Sequence, residues 1–195
     1  KNVLISMIAS HLSNINFENI VNLIHKLKPV YGRLEKVGSI KNNSSVILDY
    51  AHTPDALKTC LQNIKDQFKS KRISVVFGCG GDRDKFKRPS MGKIANEYCD
   101  RIYLTDDNPR NEDPKKIRIS ISKKINRSKL YDISNRGKAI DQAIQDLSTG
   151  EILVVAGKGH EQIQDYGKFK NFFSDKNCIL RSIKKKNKIL KNDFK

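Results

Sequence analysis

Arg101-Ile102-Tyr103-Leu104-Thr105-Asp106-Asp107-Asn108-Pro109-Arg110 is the stretch around which the rest of the chain can be ordered. Its first half alternates and is β-prone, which predicts a strand entering a core. Pro109 cannot continue that strand, and its ring biases Asn108 toward an extended or turn conformation. A stiff loop therefore leaves the C-terminal end of a strand, carrying a carboxylate, an amide and a guanidinium. In an open α/β sheet that edge is where ligands sit. An arginine there presents a planar fork of donors suited to a carboxylate or a phosphate. Alone, the same residues also describe a surface turn with one solvated arginine. Two glycine-bearing stretches, residues 78–88 and 157–161, weigh toward the first reading.

Strands and helices alternate on both sides of this stretch. Upstream, residues 34–37 and 46–49 read as strands joined by a polar turn at 41–45. Thr53-Pro54-Asp55 opens a helix, with Thr as cap, Pro in the first helical position and Asp in the first turn. That helix runs to about Lys69 and buries Leu57, Leu61, Ile64 and Phe68. A strand at 72–77 and a helix at 89–98 lead into residue 101. Downstream come a helix at 114–125, a strand at 129–133, a helix at 135–147 and a strand at 151–156. Residues 162–173 are less regular, and Ser174 or Asp175 caps a final helix toward Leu190. This order predicts an α/β, Rossmann-like fold: a mostly parallel sheet flanked by helices.

Residues 1–28 predict two helices. Val3, Ile5, Met7 and Ile8 give the first an apolar face, and Ile20, Val21, Leu23, Ile24 and Leu27 the second, with Asn16 as its cap. Two helices cannot close a core, and Pro29 ends the unit. Residues 1–31 are therefore expected to be the helical tail of a preceding domain, and 32–195 the Rossmann-like domain. A start at Lys1, in mid-pattern, leads to the expectation of a C-terminal portion of a longer protein.

Lys and Arg number 38 against 21 Asp and Glu, a formal charge of +17. Such a balance favours anionic partners, nucleic acid among them. The excess is spread widely, however, and is dense only in a basic tail from about residue 181, read as solvated charge. No aromatic-rich RNA signature or zinc-finger spacing accompanies it. Small phosphorylated or carboxylated ligands fit at least as well, and a basic nucleic-acid- or partner-binding module without catalysis is the alternative. Cys60, Cys79, Cys99 and Cys178 lie far apart. Scattered thiols argue for a reducing compartment and against a disulfide framework or a metal site. The longest apolar runs fall far below the roughly 20 residues of a membrane span. A cytoplasmic location is expected.

Segments 49–55, 78–88, 106–110 and 157–161 all follow predicted strands, and a parallel sheet collects them on one rim. Neither glycine-rich segment is a nucleotide fingerprint: a G-x-G-x-x-G run from Gly78 meets Arg83 where glycine belongs, and residues 157–160 are not a P-loop. The glycines instead mark close backbone approach, with Arg83 and Arg88 supplying positive charge. His52, three residues after Asp49, reads as a side chain tying down its loop rather than half of an acid–base pair. Cys79 reads as packing. The charges give a cleaner idea. Arg83 and Arg110 with Asn108 suit the carboxylate of an amino-acid head group, and Glu161 suits its ammonium.

Six stretches carry a resemblance to a known family. They are Gly32-Arg33-Leu34-Glu35, Asp49-Tyr50-Ala51-His52-Thr53-Pro54-Asp55, Gly78-Cys79-Gly80-Gly81-Asp82-Arg83-Asp84, Lys87-Arg88-Pro89, Asp106-Asp107-Asn108-Pro109-Arg110 and Gly157-Lys158-Gly159-His160-Glu161. In this order the chain resembles the Mur ligases, in particular the branch that adds meso-diaminopimelate. The likeness runs over residues 32–175, and residues 1–31 resemble the end of the family's central, ATP-binding domain. It implies an ATP-dependent amide ligation in peptidoglycan precursor synthesis. ATP phosphorylates the γ-carboxylate of the D-glutamyl residue of UDP-MurNAc-L-Ala-D-Glu, and an amino group of diaminopimelate attacks the acyl phosphate. ATP and Mg2+ are implied as cofactors, bound mainly by the central domain. Small-molecule substrates, no nucleic acid, no membrane and a monomer are implied as well. The family likeness marks residues 107–110 (Asp107, Asn108, Pro109, Arg110) as the diaminopimelate signature. It implies that Arg83, Asn108, Arg110, Gly157 and Glu161 hold the distal amino-acid end. Arg33 and Asp49, with His52 beside them, are implied near ATP and the interdomain link. No catalytic residue is implied within this chain, which is expected to be inactive alone. Folate-type glutamate ligation in the same superfamily fits residues 107–110 less well.

Overall fold

The computed structural model describes residues 2–27 and 30–192, and the chain divides into two units, Lys1–Val30 and Tyr31–Lys195. Pro29, expected to end the first unit, and the last three residues of the basic tail lie outside the described residues.

The first unit holds helices α1 (Asn2–Leu12) and α2 (Phe17–Leu23), followed by a 3₁₀ turn, Ile24–Lys26. Asn16 caps α2, its side-chain oxygen accepting from the Glu18 amide at 2.8 Å. Two short helices share only one mutual face, so Ile20 is buried while Leu4, Ile5 and Leu23 remain exposed.

The second unit begins with an antiparallel pair, β1 (Glu35–Ser39) and β2 (Ser45–Asp49), joined by a short turn. Helices then alternate with strands: α3 (Pro54–Gln67), β3 (Ile73–Phe77), α4 (Lys87–Tyr98), β4 (Arg101–Leu104), α5 (Pro114–Ser122), β5 (Leu130–Asp132), α6 (Arg136–Gln145) and β6 (Ile152–Ala156). Strand order in the sheet is β1-β2-β6-β3-β4-β5, and every pair from β2 onward is parallel. The helix starts are the ones their sequences dictate. Thr53 accepts from the Ala56 amide at 3.3 Å, Asp113 from Lys115 at 2.8 Å and Asn135 from Lys138 at 2.9 Å. Pro54 and Pro114 begin their helices, where a missing N–H costs nothing.

Strand side chains alternate between two apolar layers. Ile47, Val75, Ile102 and Val154 join one with α3, α4 and α5 residues such as Leu61, Met91 and Ile121. Leu48, Val76, Tyr103 and Val155 join the other with α6 and the final helix, α7 (Asp175–Asn192). The chain thus leaves β2, β3 and β4 for one face but β5 and β6 for the other, and β6 lies between β2 and β3. That reversal makes β6 the switch point of the sheet, where open α/β folds take ligands.

Two regions differ from the sequence expectation. Residues 162–173 include a small hairpin, β7 (Ile163–Asp165) and β8 (Lys170–Phe172). Strands of three residues are too short to display a period of two. The basic tail read as solvated charge is the second half of α7. Ser182, Ile183 and Lys186 are buried there, because Lys186 Nζ donates to the carbonyls of Ile144 at 3.0 Å, Gln145 at 2.8 Å and Leu147. These carbonyls lie at and just past the C-terminal end of α6, where a cation is favoured. Among the described residues no helix is long and apolar enough to cross a membrane.

Candidate functional site

The loops after β2, β3, β4 and β6 enclose a cavity of about 820 Å³ at the C-terminal edge of the sheet. Arg83, Asp107, Asn108, Arg110, Gly157 and Glu161 all line it, and so does His52. Pro109 is buried behind the wall. Arg33 and Asp49 do not line the cavity. The loops meet backbone to backbone, as the glycines implied. A Cβ on Gly78 would lie 2.2 Å from the Thr105 carbonyl oxygen, and one on Gly81 1.8 Å from that of Pro109. The Gly81 amide donates to the Asn108 carbonyl at 2.9 Å. Gly157 turns the chain at φ +109°, and a Cβ there would meet Asp107 Oδ2 at 3.0 Å.

Asn108 is held on every side. Its amide N–H donates to Asp107 Oδ1 at 2.8 Å. Its Oδ1 accepts from Lys158 Nζ at 2.9 Å and from the Asp165 amide in β7 at 3.0 Å. Two donors on that atom identify it as the oxygen, so Nδ2 is the group donating to Glu161 Oε2 at 2.9 Å. Lys158 is fully buried, and its Nζ also donates to Glu161 Oε2 at 3.0 Å and to the Ile163 carbonyl at 2.7 Å. Burial pushes the Glu161 carboxyl up, but Lys158, Asn108 and Tyr50 outweigh it and leave the group below its ordinary range. Glu161 is therefore an anion at neutral pH. Its second oxygen has only a long contact, 3.4 Å, from the Tyr50 hydroxyl.

Arg110 adopts φ +52°, a left-handed conformation that is strained for a residue with a Cβ. The strain is tolerated because its amide donates to the Asp165 carbonyl at 3.0 Å, tying this loop to β7. One edge of its guanidinium is spent: Nη1 donates to the Gly81 carbonyl at 2.7 Å. Its Nε and Nη2 make no hydrogen bond among the described residues, and the residue lines the cavity. Arg83 is exposed at the cavity wall, with one long donation to the Asp82 carbonyl at 3.4 Å.

Other sequence candidates have structural duties. Arg88, expected to add positive charge, is buried and grips Glu112 through two bonds of 3.0 and 2.9 Å, with a third to the Gly80 carbonyl at 3.2 Å. Asp49 accepts from the Leu34 amide at 2.7 Å and the Ala51 amide at 2.8 Å, which fixes the turn out of β2. His52 Nδ1 lies 2.9 Å from the Tyr50 carbonyl oxygen, in keeping with a loop-tying role. Arg33 stands over the Tyr50 ring, 4.8 Å from its centroid. Cys79 packs against Met91 Sδ at 3.6 Å, and burial pushes its thiol up to about 12. Lys158 was not singled out from sequence. The available signal was a lysine directly after a wholly apolar strand and a glycine turn, where the next side chain is aimed inward.

The Arg88–Glu112 pair gives a pH prediction. Arg88 is the chief cause that holds the Glu112 carboxyl down at about 2, against an ordinary value of 4.5. A carboxyl depressed on folding stabilises the native state above its unfolded value and loses that contribution as pH falls through the folded one. Stability should therefore decline between about pH 4.5 and 2. Arg88→Met is expected to return Glu112 toward its ordinary range and to flatten that decline, as read by NMR titration and acid unfolding.

The switch-point rim of this parallel-sheet domain gathers two guanidiniums, a locked amide and an acid around one cavity. Residues 32–159 match the family model described as Mur ligase, glutamate ligase domain, and the chain belongs to the Mur ligase family. It is 42% identical over 181 residues to the UDP-N-acetylmuramoyl-L-alanyl-D-glutamate–2,6-diaminopimelate ligase of Rickettsia felis, an alignment covering 92% of this chain and 33% of that protein. A solved structure of a ligase of the same name superposes with a TM-score of 0.72 at 34% identity, over 92% of this chain and 37% of the other. The fold alone is shared with UDP-N-acetylmuramate–alanine ligase MurC of Thermotoga maritima, with a TM-score of 0.64 at 16% identity over 98% of this chain and 37% of the other. The chain thus spans about a third of the length of the curated relatives it matches.

Proposed function

We propose that this chain is the amino-acid-selecting part of a MurE-type ligase, which joins meso-diaminopimelate to UDP-MurNAc-L-Ala-D-Glu through an acyl phosphate. The observation that carries this reading is the convergence of Arg83, Asn108, Arg110 and Glu161 on one cavity. The distal carboxylate of the ligand lies against the open edge of Arg110 and against Arg83, and its ammonium against the free oxygen of Glu161. The opposite amino group then points out of the cavity toward the bond-forming centre. Fixing that end in advance removes orientational freedom from the attack. Residues 1–31 belong, in this reading, to the end of the central domain.

ATP and Mg2+ enter through the rest of the ligase. Among the described residues no group of three or more His, Cys, Asp or Glu side chains could hold a metal ion, and both oxygens of Asp49 are committed to backbone amides. Mg2+ therefore finds no such group among the described residues, and the sequence contains no phosphate loop. By the same reading the protein works in the cytoplasm as a monomer on small molecules. The charge of +17 keeps a nucleic-acid-binding module as the second reading.

Isothermal titration of the 195-residue chain separates the two readings. The expected result is binding of meso-diaminopimelate in preference to L-lysine, with no strongly salt-dependent retention on DNA or RNA. Steep salt-dependent retention without diaminopimelate binding would establish the second reading instead.

A further inference from the structure

Lys158 lies behind the lining of the cavity and cannot touch a ligand. It is completely buried, and its three donors are taken by Asn108 Oδ1, Glu161 Oε2 and the Ile163 carbonyl. Whatever it does to a bound molecule it does through its neighbours. On Glu161 the effect is geometric. Oε2 already accepts from Lys158 and Asn108, so one oxygen is locked inward and the other is left for the cavity. On the site as a whole the effect is electrostatic. Arg83, Lys87 and Arg110 line the cavity against Asp84, Asp107 and Glu161, so the lining alone is balanced. Lys158, directly behind it, tips the site to net positive.

We propose that Lys158 is a positioning residue that sets the selectivity of this site, excluding ligands that offer Glu161 an ammonium without an accompanying carboxylate. The inference rests on the diaminopimelate reading above and deepens it. A bare ammonium, as at either end of the diamine cadaverine, meets a carboxylate that is already paired and a field that repels it. A zwitterionic end brings a carboxylate for Arg83 and Arg110, which offsets that repulsion. Removing the charge of Lys158 leaves Glu161 free to attract a lone cation.

The test is isothermal titration of the full 195-residue chain with meso-diaminopimelate and with cadaverine, a diamine without a carboxylate. Lys158→Met is expected to tighten cadaverine binding about tenfold or more and to lower the preference for diaminopimelate by at least as much. In a Glu161→Gln background, Lys158→Met is expected to leave cadaverine binding unchanged, because the acid through which it acts is gone. A structural role alone would weaken both ligands in step, and that result, or unaltered discrimination, overturns the proposal. Should Lys158→Met fail to fold by circular dichroism, Lys158→Gln removes the charge while keeping a donor for Asn108, and is read in the same way. A wild-type chain that does not bind meso-diaminopimelate removes the diaminopimelate reading and this proposal together. A wild type that discriminates beside a variant that discriminates equally removes only the proposal.

Discussion

Arg110→Ala is expected to weaken meso-diaminopimelate binding and to erase its preference over lysine. A charge-assisted hydrogen bond is worth about 1.5–3 kcal/mol, or roughly tenfold to 150-fold in affinity. The full effect should appear because Arg110 is set in place before any ligand arrives. Its amide is pinned to the Asp165 carbonyl at 3.0 Å, and Nη1 is anchored on the Gly81 carbonyl at 2.7 Å. Little side-chain freedom remains to be lost on binding. Alanine keeps the Cβ and hence the same backbone strain at φ +52°, so the substitution removes the guanidinium without relaxing the loop. Isothermal titration with both amino acids reads the result. An Arg110→Ala chain that still prefers diaminopimelate would separate Arg110 from the ligand and leave the cavity's chemistry to Arg83 alone.

Arg136→Met is expected to cost about 3–5 kcal/mol of stability, since it strands a buried carboxylate. Arg136 is the largest fully buried side chain of the domain. Its Nε and Nη2 each bond a different oxygen of Asp175 at 2.7 Å, and Nη2 also donates to the Ala156 carbonyl at 3.0 Å. One guanidinium thereby joins the start of α6, the end of β6 and the start of α7. A cation in the first turn of a helix is unfavourable by itself, so the Asp175 pairing is what keeps it there. A loss of that size is a large part of the 5–15 kcal/mol typical of a domain. Urea denaturation measures it, and a loss below about 1 kcal/mol would show that the pair contributes no more than a surface ion pair. The double variant Arg136→Met with Asp175→Leu should recover much of the loss, because it leaves no unpaired charge behind. The remaining Nη1 lies 3.9 Å from Asp107 Oδ2. Damage here should therefore also reach the cavity wall.

The alternation of apolar segments with Gly, Pro and capping residues is enough to order the strands and helices from β1 to β6 and to place α7 after them. It is also enough to bring Arg83, Asn108, Arg110 and Glu161 to one rim. These are local matters: a period of two or 3.6 reports which face an element buries, and a parallel sheet puts all its strand ends on one side. Pairings across space were beyond that reading. In the sequence Arg88 reads as available as Arg83, yet in the fold Glu112, 24 residues away, holds it. Lys186 looked like solvated charge until the end of α6 was found beneath it. The duty of Lys158 is invisible in the sequence because Asn108, 50 residues away, meets it only once β6 is inserted between β2 and β3, although Glu161 and Ile163 are its neighbours in the chain. Charge in a sequence states only that a group can ionise. Whether it faces a ligand, caps a helix or is cancelled within the protein depends on which distant groups share its surroundings after folding.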